Sequence, residues 1–149
     1  GTLALFSVLL LKYQLLLSLF YSSGDGWGFA LCVVLGHSLS RAVAGSLIFD
    51  TCYVSADEAS KSKPVAQQQS SSELLILLSF GMLPVVAFVY LPTFWMLLSV
   101  WIATLLAVRF TARCWGMRRL GGITGDFLGA IQQIVELAIY LVLLAVALP

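Results

Sequence analysis

Between two long apolar runs the chain reads RRLGGITGDFLGA over residues 118–130. Gly121, Gly122 and Gly125 let a backbone come close to an anion, and a helix starting just after them would aim free amides at it. Asp126 stands at or just before that start, a good capping position. A carboxylate there repels phosphate unless a divalent metal or an arginine lies between. The residues therefore leave two readings open, a plain N-cap and part of a metal-and-phosphate site. No G-K-[ST] follows the glycines, which excludes a P-loop.

Two polar stripes accompany this stretch. Asp126, Gly129, Gln133, Glu136 and Tyr140 fall within an arc of about 80° at helical periodicity. In an earlier apolar run His37, Ser40, Arg41 and Ala44 share a face in the same way. A guanidinium binds phosphate bidentately and stays charged when buried, so Ser40 and Arg41 weigh more than His37, since a lone histidine is more often hydrogen-bonded packing. Lys12 lies near the middle of the first apolar run. A charge inside a membrane span costs roughly 2.5–3.5 kcal/mol on insertion scales and needs a partner or a cavity. Structural ion pairs, such as Lys12 with Glu136, are one way to meet that need. A polar cavity that takes phosphate is the other.

The elements that must position these groups follow from composition. The chain has 149 residues, 60% hydrophobic and 10% charged, with mean hydropathy +1.00. Soluble domains carry about 25% charged residues, and a chain this size cannot hide so much apolar surface. It reads as an all-α, polytopic integral membrane protein. A span needs about 20 apolar residues, and five candidates cover residues 2–20, 27–49, 74–90, 94–108 and 127–148. Pro92 marks a tight reversal between the third and fourth. Residues 55–73, rich in Ser, Gln and Lys, read as a flexible loop in which substitution at 67–72 is nearly silent. Arg109, Arg113, Arg118 and Arg119 place their end of the bundle in the cytoplasm under the positive-inside rule. A net charge of +1 gives no field for nucleic acid. Cys32, Cys52 and Cys114, far apart and with one histidine in the chain, argue against a zinc site and read as small buried residues. Gly1 opens directly into a span with no signal-peptide features, which favours a piece of a longer protein.

The run RRLGGITGDFLGAIQQIVEL resembles the C-terminal signature of the cobalamin synthase (adenosylcobinamide-GDP ribazoletransferase) family. SLSRA in the second span resembles that family's Ser-Arg pair, and Lys12 falls where its members carry lysine. The resemblance implies a transferase of the inner membrane, working at the cytoplasmic face, that joins GDP-activated adenosylcobinamide to α-ribazole or its phosphate and releases GMP, with magnesium. It implies Lys12, Arg41 and Asp126 as catalytic, Asp126 also as a metal ligand, and Ser40, Arg119, Gly121, Gly122, Thr124, Gly125, Gly129 and Glu136 around the substrates. The family's aspartate-rich metal motif is absent from this sequence. The chain is therefore expected to be the C-terminal portion of the enzyme, inactive alone, paired with a missing N-terminal half or in a homo-oligomer. Competing readings are another membrane transferase of nucleotide-activated alcohols, a small transporter or channel subunit, and a plain anchor.

Overall fold

The computed structural model describes residues 2–54 and 69–147. Five helices in it are long and apolar enough to cross a membrane, and the described residues contain no strand, so the chain is an all-α multi-pass membrane protein. The first helix, α1 (Thr2–Ser22), turns at Gly24 (φ 74°) into α2 (Gly26–Asp50). Asp25 caps α2 by accepting the amide of Gly28 at 2.6 Å. After α2 come α3 (Ser71–Met82), a 3₁₀ segment (Leu83–Phe88), α4 (Phe94–Leu120) and α5 (Gly125–Val142), which ends in a π turn (Leu143–Ala147).

The most buried span is α2, and the other helices pack around it. Small residues bring the backbones close, as lipid-embedded helices require. Gly36 lies under the Tyr140 ring of α5, Gly81 of α3 faces the Ala42 methyl, and Gly45 faces Leu77. Leu35, Leu39 and Leu47 of α2 fill the core with Val135 and Ile139 of α5 and Leu97 and Trp101 of α4.

Three sequence expectations change. The fourth span does not stop near residue 108: α4 runs on to Leu120, so most of the arginine-rich stretch is helix. Asp50 neutralises two of its arginines, and Arg118 and Arg119 sit in the last turn, where the helix dipole favours cations. The polar loop does not reach residue 73. Ser70 and Glu73 form a reciprocal capping box that starts α3 at Ser71, whereas residues 55–68, the bulk of the expected loop, lie outside the described residues. The third span is also not one regular helix. Pro84 has no amide to donate, and the α-helix gives way to 3₁₀ geometry there. The reversal itself occurs as expected, with Leu91 donating to the Phe88 carbonyl and Phe94 to that of Leu91, both at 3.0 Å.

Candidate functional site

Three titratable residues inside the spans, Lys12, His37 and Glu136, meet at mid-depth, and Glu136 is fully buried. Its Oε2 forms an ion pair with Lys12 Nζ of α1. Its Oε1 takes His37 Nδ1 of α2 at 2.8 Å and the Ser40 hydroxyl at 3.4 Å. Lys12 also donates to Gln133 Oε1 at 3.2 Å. One carboxylate thus ties three helices together, with both oxygens occupied. Tyr140 follows one turn further along α5, its buried hydroxyl without a partner among the described residues.

Ser40 and Arg41 do not act as a pair in this arrangement. Consecutive helix positions point about 100° apart: Ser40 is buried against α5, and Arg41 is exposed on another face. There it lines a groove with Ser38, Ile76, Leu77, Phe80 and Gly81. Arg41 has no hydrogen bond or ion pair among the described residues.

The second polar region lies at the other end of α2. Asp50 holds Arg109 Nη2 at 3.0 Å and Arg113 Nε at 3.1 Å. Arg109 also donates to the hydroxyl and the carbonyl of Ser46, at 2.9 and 3.1 Å. Just beyond, residues 52–54 run beside Ile123 in a parallel bridge: the Ile123 amide donates to Cys52 O at 2.9 Å and the Val54 amide to Ile123 O at 2.8 Å.

That bridge explains the glycines. Gly121 ends α4 in the left-handed region (φ 70°), where glycine carries no steric penalty. A Cβ on Gly122 would overlap the Cys52 carbonyl and stand 2.6 Å from the Val54 side chain, and one on Gly125 would meet the Tyr53 hydroxyl at 3.3 Å. Thr124, not Asp126, caps α5, accepting the Phe127 amide at 3.3 Å. Asp126 is in the first turn, where the dipole favours a carboxylate. Trp115 stacks on Phe127 at 5.4 Å and holds α4 to the start of α5. Asp126, Gly129, Arg118 and Arg119 are exposed around this turn, and a Cβ at Gly129 would meet nothing within 4 Å.

The proposed site residues therefore divide. Arg119, Gly121, Gly122, Thr124, Gly125, Asp126 and Gly129 surround the α4–α5 turn. Lys12 and Ser40 both engage Glu136 at mid-depth, one at each carboxylate oxygen, with Arg41 open beside them. The described residues contain no group of three His, Cys, Asp or Glu side chains that could hold a metal ion. Asp50 is taken by two arginines, Glu136 by Lys12 and His37, and Asp25 and Glu73 by the helix caps of α2 and α3, which leaves Asp126 by itself, so these side chains do not fit a magnesium site on their own. Of the cysteines only Cys32 is buried, whereas Cys52 is exposed and Cys114 intermediate. Sequence reasoning passed over Asp50, Ser46 and Tyr53. An acid closing a span opposite an arginine-rich segment was the available signal for Asp50; nothing local marks the other two.

A family model described as cobalamin-5-phosphate synthase matches residues 1–144. Among curated proteins, one from Shewanella piezotolerans is 46% identical over 148 residues, covering 98% of this chain and 54% of the relative. One from Shewanella frigidimarina is 44% identical over 148 residues, covering 99% and 54%. One from Vibrio cholerae serotype O1 is 45% identical over 145 residues, covering 97% and 52%. All three bear the name adenosylcobinamide-GDP ribazoletransferase. The chain spans about half the length of these relatives. No solved structure matches it.

Proposed function

The chain belongs to the cobalamin-5-phosphate synthase family, and from that premise we propose that it forms the C-terminal membrane part of an adenosylcobinamide-GDP ribazoletransferase. The observation that carries this reading is the similarity along nearly the whole chain to relatives of that name. In the reaction, the ribose hydroxyl of α-ribazole, or of its phosphate, attacks the cobinamide-side phosphorus. A phosphorus–oxygen bond forms as the phosphoanhydride bond breaks, GMP leaves with the bonding pair, and the hydroxyl gives up its proton.

The α4–α5 turn is the part of this chain best suited to that chemistry. Arg118 and Arg119 stand exposed beside it and supply cationic donors for phosphate oxygens. The opening turn of α5 would add amide donors there, and Asp126, exposed in that turn, would accept the hydroxyl proton. Open space over Gly129 leaves room for substrate against α5. Lys12 acts at a distance, fixing α1 against α5 through Glu136, rather than on phosphate. Magnesium, the cofactor this reading includes, would shield phosphate charge with ligands drawn from outside the described residues. Four arginines at this end, Arg109, Arg113, Arg118 and Arg119, support a cytoplasmic placement of it under the positive-inside rule, in a protein that on this reading resides in the cell inner membrane.

The test uses the protein from its complete reading frame, in native membranes, supplied with adenosylcobinamide-GDP and α-ribazole or its phosphate. GMP release is expected, and Asp126→Asn is expected to abolish it while membrane insertion stays intact. A well-inserted wild-type protein that releases no GMP would overturn the transferase reading.

A further inference from the structure

Although α2 is the innermost helix of the bundle, one stripe along it is open. Ala30, Val34, His37 and Arg41 are all exposed. At helical periodicity they fall within an arc of about 60°, and their spacing of four, three and four residues is that of a helix-packing seam. On one flank stand α1 and α5, through the Lys12–Glu136–His37 cluster. On the other stands α3, through Leu77 and Phe80.

Lipid does not suit this seam. Arg41 sits well inside the span, where acyl chains offer no acceptor. The described residues bring one carboxylate to that depth, Glu136, and its oxygens already serve Lys12, His37 and Ser40. The guanidinium therefore needs an anion from elsewhere. A second copy of this chain does not provide one, because a twofold axis along the bilayer normal would set Arg41 against Arg41 at equal depth.

We propose that this seam docks a further transmembrane helix that carries an aspartate or glutamate at the depth of Arg41. Its source is the polypeptide that makes up the remaining length of the relatives, which this chain covers to only 54%. The helix closes the groove between α2 and α3, and its carboxylate takes the guanidinium fork bidentately. This assignment does not depend on the transferase reading, since docking needs no turnover.

The experiment places a photoreactive residue at Val34, and separately at Ala30, in the protein from its complete reading frame. Irradiation in native membranes is followed by peptide mapping. Both probes are expected to label one apolar peptide from outside these 149 residues, and that peptide contains Asp or Glu. Arg41→Ala is expected to lose the adduct and Arg41→Lys to keep it. Adducts with lipid alone, or with peptides of a second copy, would overturn the proposal. So would an unchanged adduct in Arg41→Ala; with a raised KM for the GDP substrate, that result would assign the guanidinium to substrate phosphate instead. If Arg41→Ala fails to insert, the Val34 and Ala30 adducts on the unsubstituted background still decide the matter.

Discussion

The Lys12–Glu136 pair makes a quantitative demand on stability. Glu136 is fully buried, and the Lys12 side chain is 17% exposed. Removing one partner of a buried pair strands the other, at a cost of about 3–5 kcal/mol, whereas replacing both with apolar residues is often close to neutral. Glu136→Leu strands Lys12 with only the Gln133 amide as acceptor, so it belongs at the upper end of that range. Lys12→Leu leaves Glu136 with His37 and Ser40 and belongs near the lower end. The double variant Lys12→Leu/Glu136→Leu is expected to recover most of the loss. The coupling energy then reaches or exceeds the top of the roughly 0.5–3 kcal/mol seen for residues in contact. Reversible unfolding of the full-length protein in bicelles measures all three, and each 1.4 kcal/mol reads as about a tenfold change in the folded-to-unfolded ratio. Singles that each cost under about 1 kcal/mol, or a double equal to their sum, would refute the premise that this pair is charge-compensated and dry.

Other expectations are more local. Gly122→Ala displaces the segment 52–54 and loses two main-chain hydrogen bonds, for roughly 1–3 kcal/mol, which faster amide exchange at Ile123 and Val54 will show. Gly129→Ala meets open space and is expected to stabilise α5 by about 0.5–1 kcal/mol, read as a rise in Tm. Gly36→Ala drives a methyl into the Tyr140 ring and is expected to cost about 1–3 kcal/mol. Tyr140→Phe removes a buried hydroxyl with no partner among the described residues and is expected to leave Tm unchanged or higher. Ser70→Ala removes the α3 cap and is expected to cost about 1 kcal/mol in the same unfolding assay; position 70 is therefore not the silent loop site its composition suggests.

The spans were legible because bilayer thickness imposes a length and a polarity that single residues cannot disguise. The Lys12–Glu136 pairing was legible as one of two ways to neutralise charges at membrane depth. The course of α4 past residue 108 was hidden, because its arginines look like a loop until Asp50, far away in sequence, is seen to bind two of them. The glycine run by itself suggests room for an anion. Two of its members instead answer to the chain itself, Gly121 as a left-handed helix stop and Gly122 as the place where residues 52–54 pass. That pairing joins segments on either side of α3 and α4 and leaves no local mark. Ser40 and Arg41 read as a unit in sequence, but helical geometry sends them to different neighbours.

Lys12 and Glu136 are 124 residues apart, one in α1 and the other in α5. During synthesis at about 5–20 residues per second, α1 must wait some 6–25 s in the membrane before its counter-charge is made. Until then its ammonium must be sheltered by the insertion machinery or by lipid headgroups within reach of its stem. Arrival of α5 therefore commits the bundle in one step, because it neutralises Lys12, seats Tyr140 on Gly36 and brings Ile123 beside residues 52–54.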